Sequence, residues 1–242
     1  MSRERELFEA LRRFTSARIG LGRAGHATST AALLDFRLAH ALARDAVHAP
    51  FRPDELAAAL AAEGLEVVTA ESAARSQHEY LLRPDLGRSL ADDARERLRA
   101  LAARGAPPDV ALVVSSGLSA AAIDAHGLPL VLALARDLAA RGLSLAPIVL
   151  APRARVALAD DVGAAWGARL SVIAVGERPG LSSADGVGLY LTYDPRPGRT
   201  DAERNCVSNV RPPGGLGYAE AAAKVGWLAT EALRRRLSGV PL

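Results

Sequence analysis

The stretch Leu170-Ser171-Val172-Ile173-Ala174-Val175-Gly176-Glu177-Arg178-Pro179-Gly180 decides the fold of this chain. Its first six residues carry no charge and do not alternate between polar and apolar side chains, which predicts a central strand of a parallel sheet with both faces covered. The glycines and the proline after it predict a compact turn. Because ligands of open α/β sheets bind beyond the carboxyl ends of the strands, Glu177 and Arg178 are candidate ligand contacts.

Strands and helices alternate regularly after residue 89. This alternation predicts an α/β, Rossmann-like fold, in which helices cover both faces of a mostly parallel, doubly wound sheet. The predicted strands span residues 110–114, 144–150, 170–175 and 188–193, and the predicted helices span residues 90–104, 129–141, 155–166 and 218–237.

The chain before residue 69 is predicted to be mainly helical. Its predicted elements are a helix over residues 3–14 that Ser2 can cap, a helix over residues 30–47 with a broad apolar face, a helix that Pro53 opens and Gly64 closes, and a short strand over residues 65–68. We therefore divide the chain into a helical N-terminal portion, residues 1–64, and an α/β domain, residues 65–242.

Composition excludes several classes of protein. Half of the 242 residues are hydrophobic, which is enough for a sizeable core, and only 4% are aromatic. The net charge of +3 comes from 30 basic and 27 acidic residues that alternate along the chain, so no basic patch indicates nucleic-acid binding. The single cysteine, Cys206, rules out an intrachain disulfide, and no apolar run is long enough for a membrane span or a signal peptide. We expect a cytoplasmic protein.

A literal G-x-G-x-x-G occurs at Gly20–Gly25. In dinucleotide-binding folds this fingerprint directly follows a buried strand and opens a helix, whereas here a charged, helix-forming segment precedes it. We expect a glycine loop without a nucleotide site.

No self-sufficient catalytic motif is present. The chain has no G-x-S-x-G elbow, no phosphate-cradling P-loop and no H-E-x-x-H zinc motif. The five histidines lack metal-ligand spacing, and a cobalt-binding Asp-x-His-x-x-Gly at Asp124 and His126 fails because Pro129 replaces the glycine. Cys206 has no histidine near it in sequence to act as a base, so we interpret it as a half-buried packing or ligand-contact residue. Polar clusters at residues 115–119, 152–156, 176–180 and 204–209 follow predicted strands and can form one site.

Five stretches together resemble the small subunit of ethanolamine ammonia-lyase. They occur in the same order and at consistent spacing from about residue 17 to the end of the chain. The stretches are Ala17-Arg-Ile-Gly-Leu-Gly-Arg-Ala-Gly25, Leu82-Arg-Pro-Asp-Leu-Gly-Arg88, Ser116-Gly-Leu-Ser119, Val175-Gly-Glu-Arg-Pro-Gly180 and Arg204-Asn-Cys-Val-Ser-Asn209.

The resemblance implies a lyase that uses adenosylcobalamin to convert ethanolamine to acetaldehyde and ammonia by radical chemistry. In this family the large subunit binds ethanolamine, and the small subunit closes the cofactor site within an assembly of six large and six small subunits. It implies no catalytic residue in this chain, no metal ligand, and a cytoplasmic location that a bacterial microcompartment can enclose. The N-terminal extension of the family is shorter or different here.

The positions that match the family's cobalamin contacts are Val156, Glu177 and Cys206. We expect Glu177 to accept hydrogen bonds from the cofactor. Val156 is expected to give an apolar or backbone contact at the start of its helix. Cys206 is expected to contact the cofactor without ligating cobalt, and the cofactor's own benzimidazole is expected to stay the lower ligand.

Two other functions stay open from the sequence. One is a free-standing α/β enzyme that binds a nucleotide at Gly20–Gly25. The other is an adaptor subunit that stabilises a large partner without touching the cofactor. Either subunit role requires an exposed apolar surface, for which the first helix is a candidate.

Overall fold

A six-stranded mixed sheet forms the centre of the molecule. The structure is a computed structural model that describes residues 3–242, with the side chains of residues 7–23 and 25–242. The strands are β1 (Arg23–Ala24), β2 (Ala27–Thr28), β3 (Val67–Thr69), β4 (Val110–Ser115), β5 (Ile148–Leu150), β6 (Leu170–Gly176), β7 (Val187–Tyr193) and β8 (Arg204–Val210). The strand order of the large sheet is β3-β5-β4-β6-β7-β8, while β1 and β2 form a separate hairpin.

Strand β6 lies in the middle of this sheet, as predicted. All seven of its residues are buried, and it runs parallel to β4 from Val110 opposite Leu170 to Ser115 opposite Val175. Strands β3, β5, β4 and β6 are parallel, whereas β7 and β8 are antiparallel to their neighbours. The link of residues 177–186 is too short for the crossover that a parallel β7 would need.

Helices cover both faces of the sheet, which confirms the predicted doubly wound α/β fold. The helices are α1 (Arg3–Leu11), α2 (Thr30–His48), α3 (Pro53–Ala62), α4 (Gln77–Leu82), α5 (Asp92–Ala102), α6 (Ala120–Ala140), α7 (Leu158–Trp166) and α8 (Tyr218–Arg235). One core lies between the sheet and α3, α6 and α8, and the other lies between the sheet and α5 and α7. No helix within residues 3–242 is both long and apolar enough to span a membrane.

Several predicted bounds were wrong. Helix α6 begins nine residues before Pro129, which lies inside it, and the Ser119 hydroxyl caps it by accepting from the Ala122 N–H. Helix α7 begins at Leu158 rather than at residue 155. The predicted strand over residues 144–150 is a strand only at Ile148–Leu150. Residues 204–209, interpreted as a loop after a strand, belong to the edge strand β8, whose Val207 and Val210 enter the core.

The glycine-rich segment Gly20–Gly25 leads into the β1–β2 hairpin, and a helical segment precedes it rather than a buried strand. Helix α1 ends at Leu11 and continues as a 3-10 turn over Arg12–Phe14, while the proposed Ser2 cap lies outside the described residues. Leu60 of α3 packs in the core of the large sheet. The division of the chain at residue 64 stays a prediction.

Candidate functional site

A cavity of about 420 Å³ opens on the face of the sheet that β7 and β8 share with α7. Side chains alternate along these strands, so Leu189 and Val207 enter the core on the α8 side while Tyr190 and Cys206 face the cavity. Helix α7 packs on β4 and β6, which leaves this part of the sheet face accessible. The cavity is lined by Pro84, Arg88, Arg155, Val156, Tyr190, Asp201, Arg204 and Cys206.

Glu177 lies at the end of β6, beside the cavity and not in its lining. Its backbone N–H donates to Gly186 O at 2.9 Å, and its Oε1 accepts from Ser208 Oγ at 2.5 Å and from Asn209 N at 3.2 Å. A Cβ at Gly188 would stand 2.9 Å from Glu177 Oε1 and 3.0 Å from a Tyr190 ring carbon. The glycine therefore lets the carboxylate lie against β7, next to Tyr190.

A β-bulge supplies the two groups that hold Glu177. Ser208 and Asn209 of β8 together oppose Gly188 of β7, and Asn209 has a left-handed φ of 60°. The extra residue bends the strand and directs the Ser208 hydroxyl and the Asn209 N–H towards the carboxylate. Sequence reasoning missed both residues, because polar side chains alone do not distinguish a bulged edge strand from a loop.

Cys206 pairs directly across the strands with Tyr190. Cys206 was predicted to be half-buried, but it is exposed. The cavity walls still exclude enough water from the thiol to raise its pKa. A hydrogen bond with Tyr190 lowers that pKa, and the Glu177 charge raises it. Burial, and then Cys206 and Glu177, raise the pKa of Tyr190 to about 12. Both side chains are therefore neutral at physiological pH.

Val156 was predicted to lie at the start of its helix. It lies instead in the turn that precedes α7. The turn is fixed from beneath through Ala154, whose N–H donates to Ser115 Oγ at 3.0 Å and whose carbonyl accepts from Tyr80 Oη at 3.1 Å. Burial raises the pKa of Tyr80 to about 12, so its hydroxyl stays a donor. These bonds hold Val156 in the lining of the cavity, which also contains Cys206.

A buried ion pair fixes Arg204 in the lining of the cavity. Arg204 Nη1 lies 2.7 Å from Asp160 Oδ1 of α7, and both side chains are only 2% exposed. The same guanidinium donates to Thr192 Oγ1, to the Arg199 carbonyl and to Asp201. Burial lowers the pKa of Arg204, but the two aspartates outweigh it and raise that pKa, so the guanidinium stays charged. The only sequence signal was a pair of aspartates, Asp160-Asp161, inside an apolar helix.

The predicted polar clusters come together only in part. Leu118 N–H donates to Gly176 O at 3.0 Å, and Arg153 N–H donates to Ser116 Oγ at 3.4 Å, so the segments that follow β4, β5 and β6 are neighbours. The fourth cluster, residues 204–209, lies along β8 instead. Of the three predicted contacts, Val156 and Cys206 line one cavity and Glu177 lies beside it.

None of the histidines lines this cavity. His40 and His48 are exposed on α2, in agreement with the surface interpretation. His126 is buried, with Nδ1 at 2.9 Å from Tyr218 Oη and Nε2 at 3.5 Å from Asp185 Oδ2. Within the described part of the chain, no group of three or more His, Cys, Asp or Glu side chains is arranged to hold a metal ion.

Chemically, this face combines a preoriented carboxylate, an apolar wall and three arginines, of which Arg204 is paired with Asp160. No hydrogen bond from residues 7–242 reaches Glu177 Oε2, which leaves one acceptor for a ligand. Val156, Tyr190 and Cys206 provide a largely apolar wall. The arrangement suits a large ligand whose edge carries amide or hydroxyl donors.

Comparison with known proteins gives one consistent result. The family model described as "Ethanolamine ammonia-lyase light chain (EutC)" matches residues 5–242. An "Ethanolamine ammonia-lyase small subunit" from Azotobacter vinelandii is 55% identical over 97% of this chain and 87% of its own length. Proteins with the same description from Rhodopseudomonas palustris and Ralstonia nicotianae are 53% and 54% identical, over 96% and 97% of this chain and 88% and 87% of their own lengths.

Proposed function

The chain belongs to the ethanolamine ammonia-lyase light-chain family, and we propose that it is the small subunit that completes the adenosylcobalamin site of that enzyme. The reaction converts ethanolamine to acetaldehyde and ammonia. The observation that supports this proposal most is the convergence of Val156, Glu177 and Cys206 on one accessible face of β7 and β8.

The residues on this face fit the edge of a corrinoid. Corrinoids carry peripheral amide groups that donate hydrogen bonds, and the free Oε2 of Glu177 is a matching acceptor. The cavity of about 420 Å³ is smaller than a corrinoid, so this chain would hold one edge and a partner would hold the rest. When bound, adenosylcobalamin supplies the homolytic cleavage of its cobalt–carbon bond that starts the radical deamination.

In this proposal the residues of this chain bind the cofactor and orient it. Ser208 and Asn209 hold Glu177 in place, so little side-chain entropy is lost when it accepts a ligand hydrogen bond. Val156 gives the cavity an apolar contact that excludes water. Burial raises the pKa of Cys206, so it lines the cavity as a neutral thiol, and in this proposal it contacts the cofactor as a small soft side chain without ligating cobalt.

His126 would not be a ligand of a cofactor bound in this cavity. Its Nδ1 contacts Tyr218 Oη, and its Nε2 is buried beside Asp185. Neither ring nitrogen is offered to a ligand in the cavity, which suits the incomplete Asp-x-His-x-x-Gly sequence at this position.

The partner in this proposal is the large subunit, in an assembly of six large and six small subunits. Helix α2 supports a partner because it buries only Ala46 and exposes Leu34, Leu38 and Leu42 by 54–62%. An apolar helix face of this kind indicates an interaction surface. We propose a cytoplasmic complex that a bacterial microcompartment can enclose.

The proposal is tested by ethanolamine-dependent acetaldehyde release in the presence of adenosylcobalamin. Three preparations are compared: this chain alone, the large subunit alone, and the two co-expressed. We expect activity only in the third. An inactive complex that nevertheless assembles would contradict the proposal, and a dinucleotide bound by this chain alone would favour an enzyme that uses Gly20–Gly25.

A further inference from the structure

We propose that Arg88 and Arg155 form an oxyanion subsite in the cavity, which takes the phosphate diester of the bound ligand. This inference rests on the proposed function, because the subsite shares its cavity with the proposed cobalamin contacts Val156 and Cys206.

The guanidinium of Arg155 has hydrogen-bond donors for which the described residues provide no acceptor. Its guanidinium stacks 4.4 Å from the Tyr80 ring centroid, and its Nη2 makes one long hydrogen bond of 3.5 Å to the Tyr80 carbonyl. Its Nε is buried and has no hydrogen-bond partner. No carboxylate of residues 7–242 forms an ion pair with it. Its Nη1 makes no hydrogen bond with residues 7–242 and is not buried, so this donor is available to a ligand acceptor in the cavity.

Arg88 is a second cation without a counter-ion in this cavity. Its side chain is exposed and makes no hydrogen bond or ion pair with any residue whose side chain the structure describes. The third arginine of the lining, Arg204, differs because Asp160 and Asp201 neutralise it. Asp201 is the one acid in the lining, and it is bonded to Arg204 Nε at 3.2 Å.

The two arginines are held together by the backbone. Arg155 N–H donates to the Gly87 carbonyl at 2.7 Å, directly before Arg88 in the chain. A Cβ at Gly87 would stand 2.7 Å from a Tyr80 ring carbon, so glycine permits this packing. Stacking on Tyr80 restricts the Arg155 guanidinium before a ligand arrives, and guanidinium groups match phosphate oxygens in charge and geometry.

Two sources could supply the oxyanion. Cobalamin carries one anionic phosphate diester, in the loop that joins the corrin to its benzimidazole, and cobinamide lacks this loop. Free inorganic phosphate has the same oxygens. The contiguity of the arginines with Val156 and Cys206 favours the cofactor's own diester.

The experiment measures dissociation constants of the assembled complex with the large subunit for adenosylcobalamin and adenosylcobinamide, by absorbance titration. It compares the wild type with Arg155→Met, Arg88→Gln and the control Arg104→Gln, an exposed arginine outside the cavity. We expect Arg155→Met to weaken adenosylcobalamin about tenfold to a hundredfold and to change adenosylcobinamide less than about twofold. Arg88→Gln should act in the same direction more weakly, and Arg104→Gln should change neither.

Other outcomes overturn the inference. Equal losses for both corrinoids in Arg155→Met, with Arg88→Gln unchanged, would make Arg155 a packing residue. If Arg155→Met abolished competition by inorganic phosphate but kept the preference for adenosylcobalamin, the ligand would be free phosphate. A wild-type complex that bound neither corrinoid would overturn the proposed function itself, and the subsite with it.

Discussion

The substitution Arg204→Met should destabilise this chain strongly, because it leaves a buried carboxylate without its partner. Arg204 makes four kinds of contact, to Asp160, Thr192, Asp201 and the Arg199 carbonyl, and methionine replaces none of them. Removing one member of a buried ion pair costs about 3–5 kcal/mol. For a chain of this size, that loss lowers the melting temperature by about 6–20 °C.

Substitutions of the two partners, Asp160 and Arg204, should lower the stability by different amounts. Asp160→Asn should cost less, about 1–3 kcal/mol, since the amide oxygen can still accept from Arg204 and Asp201 stays bonded to it. The double variant Asp160→Leu with Arg204→Met removes both charges, and it should be more stable than Arg204→Met alone.

The assay is urea unfolding followed by tryptophan fluorescence. Trp166 of α7 is 7% exposed, so it reports loss of the packing that this ion pair holds. A decrease in the free energy of unfolding of less than about 1 kcal/mol for Arg204→Met would contradict this prediction. A double variant less stable than Arg204→Met would contradict it as well, because the cost would then not come from an unpaired charge.

Three further predictions concern the same face. Glu177→Gln should speed the alkylation of Cys206, because the Glu177 charge raises the pKa of the thiol. The rate is measured by mass spectrometry at mildly alkaline pH, and a slower reaction would contradict this electrostatic coupling. Gly188→Ala should weaken adenosylcobalamin binding by the complex about fivefold to tenfold, since its Cβ would displace the Glu177 carboxylate. The control Gly105→Ala, whose Cβ would meet no atom within 4 Å, should not alter that binding. The Thr200 N–H, and then Arg199, lower the pKa of Glu203 from 4.5 to about 2, so the stability it contributes is complete above pH 4.5 and is lost as the pH falls towards 2. Glu203→Gln should therefore show a smaller fall of the urea midpoint between those two pH values, and an unchanged fall would assign the acid sensitivity to other carboxylates.

The sequence predicted those parts of the fold that depend on local pattern. Strand β6 was recognised because a strand with both faces buried is continuously apolar. Helix α6 was predicted too short because Pro129 resembled a first-turn proline, whereas the helix has ten buried residues whose packing tolerates an interior proline. Its true start is marked by Ser119, whose hydroxyl accepts from the Ala122 N–H.

Parts of the site depend on contacts between distant segments, and these have no local pattern. Strand β8 alternates between Val207 in the core and polar residues on the accessible face, but its bulge at Asn209 interrupts the alternation. The Arg204–Asp160 pair joins residues 44 positions apart. The placement of Val156 and Cys206 in one cavity likewise follows from the packing of α7 against the sheet.

The most direct test of the central claim is the affinity of the assembled complex for adenosylcobalamin when Glu177 is replaced by alanine. We predict a loss of affinity of about tenfold or more, because the substitution removes a charged acceptor that Ser208 and Asn209 hold in place. Size-exclusion chromatography confirms that the variant still assembles with the large subunit. An intact complex with unchanged affinity would contradict the account and would identify the chain as an adaptor that does not touch the cofactor.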